Sequence, residues 1–308
     1  MRTRRQARSA DPSFASERFE LAICAACGTA ATLGPPPLIE TAHETVYYAP
    51  AFGARDRLIE PLRRLAERDR IRDLRGLPSG SRVLEVGSGD GRFLARLRDR
   101  GFDPVGIEPS ARAASPAGGT DGMDGIAVIN TPLESAELEP TAFDAVVLWH
   151  SLEHFEDPLD ALQRVRAWLK PHGEVVIGVP NRRSLQAWIG GDRWFHQDVP
   201  RHRTHFTPAG LRALLARAGF DVIAERHLVV DQNPLGMLQT LLNRLTGERD
   251  VFFRIHKRDS VLQVARRDRI ITALALVPLI PFAILAELAA GAARRGGSIA
   301  VIARRLEG

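Results

Sequence analysis

The sequence predicts an α/β fold with a doubly wound, mostly parallel seven-stranded sheet and a helical apolar insertion between the last two strands. Two observations support the sheet: apolar strand-like segments alternate with helical segments through the middle of the chain, and a glycine-rich turn follows the first of them. Strands that alternate with helices form parallel sheets covered on both faces. A long uncharged run near residue 280 marks the insertion.

Composition excludes several classes of protein. The chain has 308 residues, of which 44% are hydrophobic and 26% charged, so it can bury a full core. Its net charge is +5, but aromatic residues are few and no nucleic-acid motif is present, so we expect no nucleic-acid partner. Cys24 and Cys27 form a single C-x-x-C and cannot supply a disulfide framework. A reducing cytoplasm is therefore expected. The basic N-terminus has no apolar segment behind it, so we expect it not to be a secretory signal.

We divide the chain into four parts. Residues 1–53 are predicted to be an irregular N-terminal extension and residues 54–230 a core, with amphipathic helices near residues 57–74. Residues 231–297 would be the apolar insertion, as a lid or a membrane-associated hairpin, and residues 298–308 the final strand of the core. Only His43 lies near the two cysteines as a further ligand, so no metal is expected.

The elements of the core follow in order. Strands are predicted at residues 81–89, 102–110, 125–130, 143–150, 173–181, 221–230 and 298–305. Gly101 would end a helix over residues 92–101, and a second helix is predicted over residues 158–171. A third helix, over residues 207–220, would begin with Thr207 as N-cap and Pro208 at its first position.

A glycine loop follows the first predicted strand. "EVGSGDGRF" places Gly87, Gly89 and Gly91 in a G-x-G-x-G pattern between a strand and a helix, where a backbone can approach a ligand closely. Glu108 ends the next strand, about 20 residues on, where a carboxylate can bind both ribose hydroxyls. Loop and carboxylate together indicate a nucleoside ligand. The alternative for the loop is a tight turn between strand and helix with no ligand. The alternative for Glu108 is an acidic residue at the start of a helix, beside Pro109.

At this point the chain resembles the class I S-adenosylmethionine-dependent methyltransferases. "VLEVGSGDGRFL" is similar to the first motif of that family and "GIEPS" to its second strand. "FDAVVLWHSLEHFEDPLDALQRVRAWLKPHGEVVIGVPN" resembles its fourth and fifth strands with the helix between them. The most similar subgroup is that of the quinone-biosynthesis O-methyltransferases. The likeness covers about residues 83–220, and it implies a Rossmann-like fold with S-adenosyl-L-methionine as cofactor.

The resemblance also implies which residues bind this cofactor. Glu108, with Pro109 beside it, would hold the ribose, and Trp149 and His150 would face the sulfonium. A Gly-rich stretch at residues 111–125 replaces the usual helix after the second strand, which puts the adenine side in doubt. The methionine part would be surrounded by Glu85, Gly87, Ser88, Gly89 and Gly91, and the adenine by Asn130, Thr131 and Leu133.

Methylation of a hydroxyl group can require a base, and histidine is suited to that role near neutral pH. His154 follows the fourth strand in "SLEHFEDP", and His202 and His205 lie in "DVPRHRTHF". We favour His202 as the base or as a residue that orients the acceptor. The alternative for His154 is a structural role in which it fixes its loop. The alternative for His202 and His205 is that they belong to a polar loop that only caps the next helix.

The uncharged run from Ile270 to Ala286 contains Pro278 and Pro281, which we expect to interrupt a helix. Because the chain returns to the sheet after it, one simple membrane crossing is excluded. Arginines flank the run on both sides, so peripheral contact of residues 233–295 with a membrane is one hypothesis. A lid over the substrate, a buried helix pair and a dimer interface are the others, and the oligomeric state is left open.

The function predicted is therefore transfer of a methyl group from S-adenosylmethionine to a hydrophobic small-molecule acceptor, at a hydroxyl oxygen. We place the enzyme in the cytoplasm, peripheral on the cytoplasmic face of the membrane. One alternative is a catalytically silent, membrane-associated adaptor that retains the fold. Another is an NAD(P)-dependent reductase, against which the G-x-G-x-G spacing and the "LEH" region argue.

Overall fold

The computed structural model describes residues 2–10, 14, 17–35, 67–110, 125–256 and 264–307. The strands are β1 Arg2–Arg8, β2 Arg18–Cys24, β3 Ala30–Leu33, β4 Arg82–Val86, β5 Asp103–Ile107, β6 Ala127–Ile129, β7 Phe143–Trp149, β8 Leu169–Pro180, β9 Thr204–His205, β10 Phe220–Arg226 and β11 Ser298–Arg305. The helices are α1 Arg92–Asp99, α2 Pro158–Trp168, α3 Leu185–Gly190, α4 Pro208–Arg217, α5 Asn233–Leu245, α6 Val251–His256 and α7 Arg266–Ala292.

The chain forms two compact bodies. The first, the sheet body, consists of Ile59–Val179, Arg212–Glu225 and Ala300–Gly308. The second, the insertion body, consists of Met1–Leu58, Pro180–Leu211 and Arg226–Ile299.

The sheet body is built around a seven-stranded sheet in the order β10-β11-β8-β7-β4-β5-β6. The central pairs are parallel: β4 pairs with β5 and β7, β5 pairs with β6, and β7 pairs with β8. The mostly parallel sheet and the helical insertion before β11 confirm the predicted fold class.

Burial explains why the core strands form. β4 and β7 are almost entirely inaccessible to solvent, with Val83, Leu84 and Val146 fully buried. The sequences of such strands are continuous apolar runs because both faces of a parallel sheet are covered. Helix α2 begins at an N-cap, Asp157, whose carboxylate accepts from the N–H groups of Leu159 and Asp160.

The insertion body contains a four-stranded sheet in the order β1-β2-β3-β9, with antiparallel pairing throughout. The N-terminal segment for which irregular structure was predicted therefore contains three strands. Alternation of Phe19, Leu21 and Ile23 with polar or small residues is the period of a half-buried strand. Its partner β1 carries four arginines in seven residues and gives no such pattern.

Cys24 and Cys27 lie at the turn between β2 and β3. The N–H of Gly28 donates to the carbonyl of Cys24, and the N–H of Cys24 donates to the carbonyl of Thr29. Among the described residues, neither cysteine forms a disulfide. His43 lies outside the described residues.

The insertion between β10 and β11 consists of α5, α6 and α7. Helix α7 runs unbroken through Pro278 and Pro281, so the expected interruption was wrong. A proline removes the hydrogen bond to the carbonyl four residues earlier, which here belongs to Leu274 and Val277. Those residues are 74% and 71% exposed, so the freed carbonyls lie on the outward side of the helix, where the core is not disturbed.

A buried polar network fixes the end of α7 within the insertion body. The Glu287 carboxylate accepts from the Gln186 amide at 2.8 Å and from the N–H of Gly297 at 3.1 Å. The Asn233 side chain accepts from the N–H of Ser298 and donates to the carbonyl of His227. These bonds satisfy polar groups that are excluded from water.

Candidate active site

The glycine loop lies between β4 and α1 in the sheet body. Gly87, Gly89 and Gly91 have φ angles of 78°, 55° and 73°, a region that residues with a Cβ rarely adopt. A Cβ on Gly87 would also lie 3.0 Å from the Cβ of Ser151, in the segment after β7. The loop therefore needs glycine both for its conformation and for its close contact with the neighbouring segment.

Glu108 stands directly after β5 and is 1% exposed. Its Oε2 accepts from the N–H of Gly89 at 2.8 Å, and its Oε1 accepts from the N–H of Ser110 at 3.0 Å. These two bonds hold the carboxylate in place at the end of β5, and each carboxylate oxygen has two acceptor positions. This arrangement suits a ligand that carries two hydroxyl groups.

The chain after β6 lies against the same carboxylate residue. The side-chain amide of Asn130 donates to the carbonyl oxygen of Glu108 at 2.8 Å, and the N–H of Glu108 donates to the carbonyl of Ile129. Thr131 follows, half-buried, and Leu133 is buried. Of the three residues proposed for the adenine side, Asn130 thus contacts Glu108 directly. Residues 111–124 lie outside the described part of the chain.

Glu85 is the buried acid at the end of β4, 3% exposed. Burial raises the pKa of its carboxyl to about 8, and the negative charges of Asp90, Glu67 and Glu108 raise it further, while Arg70 lowers it. Among the described residues, its Oε2 has no hydrogen-bond partner. A ligand ammonium group would supply the missing donor and add positive charge to that of Arg70.

Arg70 was not predicted as a site residue. Its guanidinium carbon lies 4.9 Å from the ring centre of Trp149 and 5.2 Å from that of Phe93, and its charge acts on Glu85. It belongs to a helix over residues 67–72 in which acidic and basic residues alternate. Charge alone could not show which of them faces the loop.

The end of β7 is fixed by packing. A Cβ on Gly178 would lie 2.7 Å from the Trp149 ring, so the indole packs directly on β8. His150 has a φ of 53°, and its Nδ1 lies 3.3 Å from Oε1 of buried Glu153.

Two further predicted residues differ in burial. Ser88 is buried, and a Cβ on Gly106 would lie 2.7 Å from its hydroxyl oxygen, whereas Pro109 is exposed. Ser88 therefore packs between the loop and β5.

The three candidate histidines belong to different bodies. His154 closes a short 3-10 helix, Leu152–His154, in the sheet body and is half-buried. His202 and His205 are buried in the insertion body, with ring centres 6.3 Å apart. His205 is tied to the small sheet, because it lies in β9 and its Nε2 is 3.0 Å from the Thr32 hydroxyl.

The hydrogen bonds of His202 decide its tautomer. Its Nδ1 lies 2.9 Å from the carbonyl oxygen of His196, which can only accept, so Nδ1 carries a proton. In the neutral ring the lone pair is then on Nε2, which lies 3.8 Å from the Asp198 carboxylate. Asp198 is itself paired with Arg201.

A loop of three left-handed glycines, a buried carboxylate at the end of the next strand and a seven-stranded sheet form one arrangement in the sheet body. The sequence model of a family described as "Methyltransferase domain" matches residues 54–225, more than half of the chain. The chain belongs to this methyltransferase family.

Relatives and a solved structure agree with this assignment. A ubiquinone biosynthesis O-methyltransferase of Cereibacter sphaeroides (strain ATCC 17025) is 31% identical over 174 residues, which cover 54% of this chain and 69% of that protein. One from Roseobacter denitrificans is 28% identical over 173 residues, with the same two coverages. A chain from the complex of the Haloferax volcanii Trm112 methyltransferase activator with a methyltransferase shares the fold. It has a TM-score of 0.52 and 16% identity, over 83% of this chain and 96% of that chain.

The protein is thus an S-adenosylmethionine-dependent methyltransferase with a Rossmann-like core. The residues described above fit the cofactor. Glu85 offers a buried carboxylate, without a donor among the described residues, to the methionine ammonium. Glu108 offers two anchored oxygens to the ribose.

Proposed function

We propose that this methyltransferase transfers the methyl group to a hydroxyl oxygen of a hydrophobic, quinone-like small molecule. The observation that carries the proposal is the 31% identity, over 174 residues, to a ubiquinone biosynthesis O-methyltransferase. An acceptor of that class is a phenol with an apolar substituent.

Bound S-adenosylmethionine supplies a methyl group on a sulfonium, and its displacement requires in-line alignment of the acceptor oxygen. In our proposal, Glu85 binds the ammonium of the methionine part, and Arg70 provides the positive charge for its carboxylate. Glu108 accepts from the ribose hydroxyls, and Asn130, Thr131 and Leu133 border the adenine. Trp149 and His150, at the end of β7, would face the sulfonium.

The base in this proposal is His202. Its Nδ1 proton is held by the His196 carbonyl, which leaves Nε2 of the neutral ring as the atom that accepts a proton. The Asp198 carboxylate, 3.8 Å from Nε2, would stabilise the imidazolium. His154 is the competing candidate, and His205 would orient its neighbours through Thr32.

The first experiment measures methyl transfer to a matched pair of acceptors. A catechol with a prenyl side chain and the corresponding aromatic amine are incubated with labelled S-adenosylmethionine, and the products are identified by mass spectrometry. We expect methylation of the catechol oxygen alone. Preferred methylation of nitrogen would contradict the proposal. If neither acceptor is methylated, binding of S-adenosylhomocysteine is measured calorimetrically with NADH as control. Binding would mean that the enzyme uses another acceptor, and no binding would mean that the protein does not bind the cofactor.

His202 and His154 are then compared as bases. Replacement of the true base by Gln should lower kcat by about 10²–10⁴-fold and remove the rise of kcat with pH, while the KM for the cofactor is retained. If His154→Gln has this effect and His202→Gln does not, our choice of base is wrong.

We also propose that the enzyme is cytoplasmic and lies on the membrane through α7. The helix is long and apolar enough to cross a membrane by length and composition, and its apolar window has a mean hydropathy of 2.2 with only 17% of that window buried. Because the chain returns to the sheet as β11, we favour contact with one face of the membrane. Flotation with phosphatidylcholine vesicles, compared between the natural chain and a Leu274→Ser, Val277→Ser and Leu285→Ser variant, tests this. Equal flotation of both would contradict it.

A further inference from the structure

The insertion body contains a cavity of about 290 Å³ that shares only His205 with the residues of the proposed methyl transfer. It lies where the N-terminal sheet meets α3 and the residues that follow α7. Four of its lining residues are arginines: Arg5, Arg182, Arg183 and Arg295. We call this cavity the arginine pocket.

The positive charge of the pocket is not compensated by the described residues. None of the residues that line it is acidic. Within the described ranges, none of the four guanidinium groups forms an ion pair, whereas the neighbouring Arg4 is paired with Glu20 at 3.1 Å. Burial lowers the pKa of the Arg182 guanidinium, and electrostatic repulsion from Arg5 lowers it further. A bound anion would relieve that repulsion.

The pocket also offers hydrogen-bond donors. A guanidinium carries five N–H groups, and one from Arg182 is used for the Gly28 carbonyl, at 2.9 Å. Trp194 lines the cavity, is buried, and has an indole N–H without a hydrogen-bond partner among the described residues. Several arginines and an indole donor around one cavity match the oxygens of a phosphate group, which arginine binds in a bidentate manner.

The position of the pocket indicates how the anion is carried. Arg295 lies three residues after the end of α7 at Ala292, and α7 leaves many of its large apolar side chains exposed. Trp188, on the rim, is 74% exposed, and tryptophan is enriched where apolar and aqueous phases meet. A lipid could place its anionic headgroup in the pocket and its apolar chain along α7, and it would then contact both surfaces.

We propose that the arginine pocket binds a phosphate monoester or diphosphate group, carried on a lipid whose apolar part lies against α7. The proposal goes beyond methyl transfer and does not depend on the acceptor. It adds a specific headgroup site to the apolar face of the helix.

The test measures two kinds of ligand. Inorganic pyrophosphate is titrated calorimetrically into the full chain. Separately, the chain is floated with vesicles of phosphatidylcholine alone, or mixed in equal parts with phosphatidic acid or with phosphatidylglycerol, which is anionic but has no phosphate monoester. Pyrophosphate is then added as a competitor.

The variant for this test is Arg183→Gln with Arg295→Gln, because both side chains are exposed and make no side-chain hydrogen bond within the described residues. Arg182→Gln is the second pocket variant. Arg244→Gln, an exposed arginine of the same body outside the pocket, is the charge control. Circular dichroism and S-adenosylhomocysteine binding confirm that each variant is folded.

We expect pyrophosphate to bind the natural chain and to lower its flotation with phosphatidic acid vesicles to the level seen with phosphatidylcholine alone. The pocket variants should weaken both effects by about tenfold or more, and Arg244→Gln should leave them unchanged. The chain could bind pyrophosphate and yet float equally with phosphatidic acid and phosphatidylglycerol vesicles. That result would support the anion site but overturn the proposal that a lipid carries the phosphate. The site itself is overturned if the pocket variants bind both ligands like the natural chain, or if Arg244→Gln weakens binding equally.

Discussion

The Glu108 carboxylate accepts a hydrogen bond from the backbone N–H of Gly89, with 2.8 Å between oxygen and nitrogen. One bond thus joins the two parts of the candidate cofactor site, which follow neighbouring strands. The glycine loop positions the carboxylate, and the carboxylate fixes the loop. Replacement of either partner should therefore affect the other.

Glu108→Ala should weaken the binding of S-adenosylhomocysteine by at least about tenfold to 100-fold. The change removes the proposed acceptor of the ribose hydroxyls and takes this acceptor from the N–H groups of half-buried Gly89 and buried Ser110, at about 1–3 kcal/mol for each lost bond. Isothermal titration calorimetry measures the effect. Glu134→Gln, at an exposed acid, is the matched control. Affinity equal to that of the control would show that Glu108 does not bind the ribose.

Cofactor binding should release a proton from Glu85 near neutral pH. Its pKa is raised to about 8, so the free protein holds a proton there at pH 7, while a bound ammonium requires the carboxylate. Affinity should rise between about pH 6 and pH 7.5, with release of about one proton. Titrations in two buffers of different ionisation enthalpy measure that proton. In Glu85→Gln the release should vanish together with the pH dependence, and its persistence would assign the proton to another group.

The same raised pKa has an effect on stability without cofactor. Between about pH 4.5 and pH 8 the folded chain binds more protons at Glu85 than the unfolded chain does, so the free energy of unfolding should fall as pH rises. Glu85→Gln should remove this contribution and be the more stable form at pH 8. Urea unfolding at several pH values compares the two proteins. Parallel curves would show that Glu85 is not buried in its neutral form.

Gly87→Ala should destabilise the sheet body by about 1–3 kcal/mol and reduce cofactor affinity. The φ angle of 78° is unfavourable for alanine, and the new Cβ would lie 3.0 Å from the Cβ of Ser151. Gly76→Ala is the control, since that glycine is exposed and a Cβ there would contact nothing within 4 Å. Urea unfolding gives the difference, and equal stability of the two variants would contradict the need for glycine at residue 87.

Glu287→Ala should destabilise the insertion body by about 2–5 kcal/mol. It leaves the Gln186 amide and the N–H of Gly297 without their acceptor in a site closed to water. Leu288→Ala, on the exposed side of the same helix, should change stability by much less. Thermal unfolding followed by circular dichroism compares them, and similar losses would mean that the buried network does not hold α7.

Sequence patterns predicted the sheet body well because its signals are local. Apolar runs gave β4, β5 and β7, and the first of them ends in the glycine loop. In the insertion body the Thr207 cap was correct for the same reason, since the Thr207 hydroxyl accepts from the N–H of Gly210. Glu108 could be proposed for the ribose from the sequence because its spacing from the glycine loop follows from the fold. Such features need no knowledge of distant contacts.

Features that depend on distant contacts were missed. β9 exists because Thr204 and His205 pair with Ala31 and Ala30, more than 170 residues earlier in the chain, which no local pattern reveals. Arg70 became a site residue only through its packing on Trp149. The arginine pocket likewise gathers side chains from both ends of the chain, so the sequence showed its arginines without showing that they meet.

The place of β11 in the sheet has a consequence for biosynthesis. It lies between β8 and β10, although both are made long before it. A ribosome must therefore synthesise the chain to about residue 305 before these two strands gain their shared neighbour. Until then each presents an unpaired edge, the kind of surface to which other strands add. We expect the nascent chain to depend on chaperones over that interval, more than a protein whose sheet is completed strand by strand.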